Sequence, residues 1–461
     1  MAEEYVKISG KSLASLIDEG ALKHFGIFAA ILALGAITDA YNQFVVTSST
    51  FSLIPYFHYH GVTVLTVSLS IYFIGSFIGA ISWGVVADRI GRKLTFVIDL
   101  LIMALMAVVS SFSTNVFELW SIRFIMGIAA GGDYAAALAL LVEFSPRKKR
   151  GVMLGTFWAM FNVGGVAAAL VGYALFLSYG NSGLQWQLLY ASGAIPAIIG
   201  IFLRLKLPES ARWLHARGKN DKAKDALEQI VGRPLKDGEI DWTEISKSDK
   251  SSHVSQMFSR RYMLATIALP IAIILPNYLL VTNVSELPLV LRTLHYGAGL
   301  SLLIDAFAFF LPLAISNFFV ALINDKIGRL PVYFFGSAIG AGVMGFVLAV
   351  TFKSIDLLIG TIVVIGLLTP FYTTVAASWG AELYPTRFRS TGAGYGIFLW
   401  RLGSASGIFL TPFLISSVGV SSTFNLYGIL GVLGFLITWG LLHKYGKTEN
   451  KTLEEITDAR V

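Results

Sequence analysis

The 461-residue chain contains no cysteine. That excludes a disulfide framework, a thiolate nucleophile and any cysteine-held metal. Its seven histidines form no HExxH-like pair, so a metal centre has no ligand pattern to start from. No nucleophile–base pair stands out either, which speaks against an enzyme and leaves no cofactor to expect. Charge is scarce as well. Asp, Glu, Lys and Arg make up 14% of the residues, against about a quarter in soluble domains. What fills the chain instead is apolar: 55% of residues are hydrophobic and the mean hydropathy is +0.69. A soluble globular protein is excluded. A helix needs about 20 apolar residues to cross the hydrocarbon layer, so twelve crossings would take about half of this length.

The formal charge of +7 raises the question of nucleic acid, and the positions of the basic residues answer it. All but four of the 35 Lys and Arg lie before residue 24, in Asp88–Lys93, Pro146–Gly151, Arg204–Arg261, Asp325–Arg329, Pro385–Arg389 or the tail. Every second connection is therefore basic, as expected with both termini cytoplasmic. Arg292 and Lys353 alone fall on the opposite face, and Arg123 and Arg401 lie inside apolar runs. The excess charge reports membrane orientation, which points to a multi-pass protein of the plasma membrane without a nucleic-acid partner. The polar first 24 residues lack the basic start and apolar core of a signal peptide.

Apolar spans are expected at 25–47, 62–85, 94–112, 117–143, 152–178, 187–206, 262–284, 298–323, 331–351, 357–381, 392–415 and 423–442. This divides the chain into a leader (1–24), a first six-helix bundle (25–206), a cytoplasmic loop (207–261), a second six-helix bundle (262–442) and a tail (443–461). Two unrelated motifs recur at nearly one offset. Asp88-Arg89-Ile-Gly91-Arg92-Lys93 returns as Asp325-Lys326-Ile-Gly328-Arg329, 237 residues later. Glu143-Phe-Ser-Pro146-Arg147 returns as Glu382-Leu-Tyr-Pro385-Thr-Arg387, 239 residues later. The expected fold is thus an all-α membrane protein of twelve transmembrane helices, in two six-helix bundles related by a parallel internal repeat.

The loop Gly84-x3-Asp88-Arg89-x-Gly91-Arg92-Lys93 resembles the signature of the major facilitator superfamily. Leu207-Pro-Glu-Ser-Ala-Arg-Trp-Leu214 and Tyr384-Pro-Thr-Arg-Phe-Arg-Ser-Thr-Gly392 resemble its branch of sugar porters, phosphate:proton symporters and aromatic-acid or organic-ion carriers. In these loops glycine permits a tight turn, an Asp can cap a helix end, and arginines can meet carboxylates or helix C-termini. Asp88, Arg89, Arg92, Glu143, Arg147, Asp325, Arg329, Glu382 and Arg387 are accordingly candidate latch residues. They would hold the cytoplasmic ends together in one conformation and release them in the other.

An ionised side chain at the bilayer centre costs about 2.5–3.5 kcal/mol even on the lenient insertion scale. Six lie well inside apolar spans: Asp39, Asp99, Arg123, Asp133, Asp305 and Arg401. Thr38-Asp39-Ala40-Tyr41 and Arg123-Phe-Ile-Met-Gly127 to Gly131-Gly132-Asp133-Tyr134 resemble the first and fourth helices of phosphate:proton symporters. Asp99 falls where that family has an acidic residue. The resemblance implies proton handling by Asp39, Asp99 and Asp133, and a substrate contact at Tyr134. Independently, a poorly solvated cavity disfavours the charged form of a carboxylic acid, which can then carry a proton near neutral pH. A static Asp–Arg clamp is the alternative. Asp305 is expected to face the outer vestibule, with proton handling as the lesser alternative. That family's second acidic residue is replaced here by Asn42, and its substrate-binding residues are less well kept, with Phe161 and Thr373 at about the places of a Gln and an Asn.

Arg401 offers a bidentate fork for a carboxylate or phosphate; otherwise it would be the ion-pair partner of Asp39 or Asp133. Tyr41, Asn42, Trp158, Asn162, Asn277, Tyr278, Tyr372 and Thr373 are further candidates for the substrate site. The Gly127–Gly132 and Gly392–Gly396 runs suit close helix approach rather than phosphate binding. The function expected is proton-coupled secondary transport of a small polar solute by alternating access, in a monomer. The solute is an anion such as phosphate or an organic carboxylate, with a sugar or polyol as the alternative. A non-transporting nutrient receptor is a remote third reading.

Overall fold

The computed structural model describes residues 16, 31, 34–58, 61–144, 150–236, 239–240, 242, 257–260, 262–293, 295–351, 354–384 and 389–443. Most of the leader, of the second half of the central loop and of the tail lies outside them. The described residues are almost entirely helical. In chain order the long helices are α1 (34–48), α2 (Gly61–Ile90), α3 (Arg92–Ser110), α4 (Val116–Phe144), α5 (Arg150–Tyr179) and α6 (Gly183–Arg204). After the central loop come α7 (Met263–Thr293), α8 (from Ala298–Leu303 to Leu311–Ile327) and α9 (Arg329–Thr351). The series ends with α10 (Ile355–Glu382), α11 (Arg389–Val418) and α12 (Val420–Leu442). Ten of the twelve are long and apolar enough to cross a membrane by composition; α1 and α4 complete the set.

Helix α3 shows how the sequence sorts its faces. Phe96, Asp99, Met103, Ala107 and Ser110 recur every three or four residues and are buried. Leu94, Leu101, Leu105 and Val108 occupy the other face and are exposed, as apolar side chains facing lipid would be. Most helices overrun their apolar windows. Asp88 and Arg89 thus lie in the last turn of α2, and neither occupies the N-cap position of α3. That position belongs to Gly91, with φ +108° and ψ 152°. Its repeat counterpart, Gly328, has φ +98° and ψ 152° between α8 and α9. A Cβ is poorly tolerated at such φ, so one backbone turn recurs 237 residues on for the same steric reason.

The small-residue runs let helices meet backbone to backbone. A Cβ on Gly127 or Gly131 of α4 would strike the carbonyl oxygens of Tyr72 or Ser76 on α2. A Cβ on Gly75 or Gly79 of α2 would strike those of Phe124 or Ile128. Across the two halves of the chain, α2 packs on α11 and α5 on α8. In the central loop Ser210 accepts a hydrogen bond from the Trp213 amide and caps the helix Ala211–Ala216; a second helix, Asn220–Val231, follows.

Candidate functional site

A cavity of about 190 Å3 lies between the halves. Its wall comes from α1 (Gln43, Phe44), α2 (Phe73), α5 (Trp158, Phe161, Asn162), α7, α8 (Leu313, Asn317), α10 (Tyr372, Thr373) and α11 (Trp400, Ser404). The wall is aromatic with scattered neutral amides. Trp158 and Trp400 pack edge to face with centroids 5.6 Å apart, and Phe161 lies 5.8 Å from Trp158. On α7, Asn277 donates to Ser404 Oγ at 3.0 Å and accepts from the Tyr372 hydroxyl at 3.2 Å. Five of the expected substrate residues (Trp158, Asn162, Asn277, Tyr372 and Thr373) line this space.

Three others do not. The Tyr41 hydroxyl pairs with Ser192 at 2.6 Å, and Asn42 donates to the Gly193 carbonyl at 3.1 Å; both tie α1 to α6. Tyr278 stacks on Tyr427 and meets Ser406. The Tyr134 side chain lies outside the described residues. Gln43 and Asn317 also line the cavity, and the sequence alone does not single them out. Each is one amide in an apolar run, and nothing in the run tells a cavity face from a packed face.

Arg401 stands just behind the aromatic wall, 1% exposed at the side chain. Its guanidinium donates to Asp39 Oδ2 at 3.4 Å and to Gln43 Oε1 at 3.5 Å. It also lies over the rings of Trp400 and Phe73, 5.0 and 5.4 Å from their centroids. Tyr72 donates its hydroxyl hydrogen to Asp39 Oδ1. Above the Tyr72 ring, 4.5 Å from its centroid, sits Arg123, which donates to the main-chain carbonyls of Asn42 and Gln43. Among the described residues Arg123 forms no salt bridge. Among the described residues, the Asp39 carboxylate thus faces two guanidinium groups here.

Asp133 lies in a different cluster. It pairs at 2.5 Å with Arg204, whose side chain is 0% exposed. Arg204 also donates to the Phe96 carbonyl and lies over that ring. The sequence counts this arginine with the basic segment Arg204–Arg261, at the end of an apolar span, yet the structure buries it. A long side chain at the end of a helix can reach back into the bundle, and counting apolar runs does not reveal that reach. Asp99 is buried near the pair, within reach of the Trp83 indole. A Cβ on Gly35 would collide with Arg204, and Gly35 is one turn from Asp39 on the same face of α1. Helix α1 therefore presents one ion pair at Gly35 and the other at Asp39.

Between α2 and α3, the first candidate latch loop meets an unexpected residue. Glu209 accepts from the backbone amides of Arg92 and Lys93 at 3.1 Å each, so a distant carboxylate caps α3 in place of a local side chain. Lys93 Nζ donates to the Leu205 carbonyl at 2.7 Å, and Arg217 donates to the Arg89 carbonyl at 3.2 Å. Arg329 is buried. The side chains of Asp88, Glu143, Arg147, Asp325, Glu382 and Arg387 lie outside the described residues.

The family model for sugar (and other) transporters matches residues 25–459. The chain is 29% identical over 436 residues to the inner membrane metabolite transport protein YgcS of Escherichia coli (strain K12), covering 92% of each chain. It is 29% identical over 414 residues to the niacin transporter NiaP of Acinetobacter baylyi, covering 84% of this chain and 86% of that one. Among solved structures, the proton:xylose symporter XylE superposes with a TM-score of 0.76 at 20% identity, covering 95% of this chain and 100% of that one. The twelve-helix architecture, the duplicated glycine turn and the family match over nearly the whole chain lead to one assignment: this is a membrane transporter of the sugar (and other) transporter family, within the major facilitator superfamily.

Proposed function

We propose that this transporter is a proton symporter for a small organic carboxylate, multi-pass in the plasma membrane with both termini cytoplasmic. The observation that carries the reading is the ion pair between Arg401 on α11 and Asp39 on α1, set behind the cavity wall. While Asp39 is ionised it occupies the guanidinium. Protonation removes that charge, and Arg401 can then offer its two-pronged fork to a substrate carboxylate. Proton and anion therefore bind together, and rocking of the halves about the cavity carries both inward. One proton with one monoanion is electroneutral. Each further proton adds about 2.3 kcal/mol of drive per 100 mV.

The aromatic wall supports an organic anion over phosphate. Phe44, Phe73, Trp158, Phe161 and Trp400 can stack on a planar ring, whereas phosphate would lose hydration against them without replacement hydrogen bonds. A niacin transporter among the relatives is consistent with a small ring acid. A sugar or polyol is the second reading, favoured by the neutral amides of Gln43, Asn162, Asn277 and Asn317, which suit hydroxyl groups.

Uptake into proteoliposomes tests the proposal, with benzoate, nicotinate, phosphate and xylose compared with and without an inward proton gradient. Gradient-driven benzoate or nicotinate accumulation is expected. Accumulation of xylose with no uptake of either acid would transfer the assignment to the second reading.

A further inference from the structure

A carboxyl group outside both ion pairs has no role in the scheme above. Asp305 on α8 is fully buried, and neither of its oxygens has a hydrogen-bond partner among the described residues. Buried polar atoms are normally satisfied, so this one calls for an explanation. It lies in Ile304–Phe310, where α8 changes from α- to π-helical geometry, a departure frequent at functional sites. The outward face of α8 is marked by the exposed Phe307, Leu311, Ile315, Phe319 and Leu322. Asp305 is on the inner face instead, and two and three turns further along lie Leu313 and Asn317 of the cavity wall. The sequence-based expectation of an open vestibule position is not met.

Asp305 sits between two levels at which α8 meets α5. On one side, Phe310 fills the space beside Gly165 and packs 4.7 Å from Phe44. On the other, Gly299 abuts the rings of Phe176 and Tyr173. The acid is therefore enclosed in the seam between the halves, beyond the cavity and toward the end that the charge bias assigns to the outside. The π-helical segment packs against α5, α7 and α10. Their titratable or charged side chains toward that end are Tyr173 and Tyr179 on α5, Glu286 and Arg292 on α7, and Asp356 on α10. The Glu286 side chain is outside the described residues. None of the others bonds to Asp305; Arg292 lies over the Phe51 ring and Asp356 is exposed.

We propose that Asp305 is a proton-binding site that licenses closure of the outer seam. When α5 and α8 part, water reaches the carboxylate and it ionises. When they close, no partner among the described residues replaces that water, and enclosing a bare charge is strongly disfavoured. Closure therefore requires one proton to bind the carboxylate from the outer solution. The same proton returns to that solution on reopening, so it is not transported and is distinct from any proton carried on Asp39. The proposal rests on alternating access and on the orientation given above.

The test needs no substrate. In the full chain, which is naturally free of cysteine, spin labels are placed on Leu177→Cys at the end of α5 and Leu300→Cys at the start of α8. Their distance distribution is measured in lipid nanodiscs between pH 5 and 9. The ratio of short to long distances is expected to fall with rising pH by up to about tenfold per unit, the slope of a single-proton equilibrium. Asp305→Asn, which mimics the neutral acid, is expected to hold the short distance at every pH. Asp39→Asn is expected to keep the pH response. A parent protein whose distances ignore pH overturns the proposal without recourse to any variant. So does an Asp305→Asn protein that titrates like its parent, or a response that vanishes in Asp39→Asn instead.

Discussion

Asp39 and Arg401 are 362 positions apart in the chain, yet their side chains meet at 3.4 Å, each almost fully enclosed. One belongs to the first helix and the other to the eleventh, so the pair spans the two duplicated units beside the cavity.

This pairing makes opposite predictions for its two members. Asp39→Asn should free Arg401 permanently. Benzoate binding at pH 8 should then tighten by roughly tenfold, about 1.4 kcal/mol, while gradient-driven accumulation is lost. Arg401→Ala should lose benzoate binding at every pH. Equilibrium binding and proteoliposome uptake read both effects. Unchanged benzoate affinity in Arg401→Ala would reduce the pair to a structural clamp.

The second pair should behave as a stability element whose halves cannot be removed singly. Asp133→Asn leaves the Arg204 guanidinium enclosed without its carboxylate, a loss of about 3–5 kcal/mol. The double replacement Asp133→Asn with Arg204→Met should recover most of that. Thermal unfolding of the purified variants checks it. Equal losses in the single and double variants would argue against the pair as the source.

Close approach of α2 and α4 sets a contrast between two glycines. Gly131→Ala pushes a methyl group against the Ser76 carbonyl and should cost about 1–3 kcal/mol by overpacking. Gly360→Ala on α10 meets nothing within 4 Å and should stabilise its helix by up to about 1 kcal/mol. Melting midpoints moving in the same direction for both would contradict this account of the packing.

Glu209→Ala removes the acceptor for the first amides of α3. A loss of about 0.5–2 kcal/mol is expected, the range for a helix N-cap. Glu209→Gln keeps an acceptor oxygen but not the charge and should fall between. A melting temperature unchanged in Glu209→Ala would show that the amides find water just as well.

Composition and order were sufficient for the architecture. With no water to satisfy the backbone in lipid, only helices and closed barrels can cross it, and continuous apolar runs of about 20 residues are of helix length. The glycine turns at Gly91 and Gly328 could be read as a repeat since a local backbone constraint demands the same residue wherever it recurs. The six interior charges were legible for a similar reason: a costly group in lipid stands out against an apolar run. Arg204 was not legible, because a charge at a helix end looks solvated until its side chain is seen to turn inward. Glu209 was hidden differently; its motif is plain, but its partners are amides 116 and 117 positions away.

Which charge meets which was beyond the sequence. Asp39 and Asp133 both occupy apolar helices near the membrane centre, and either could have taken Arg401. Helix rotation and packing assign Asp39 to Arg401 and Asp133 to Arg204, and they place Gln43 and Asn317 on the cavity wall while turning Tyr41 and Asn42 into the α6 contact. Burial costs belong to single residues and can be read along a chain. Pairing depends on the relative rotation of helices hundreds of positions apart, and only the assembled bundle sets that rotation.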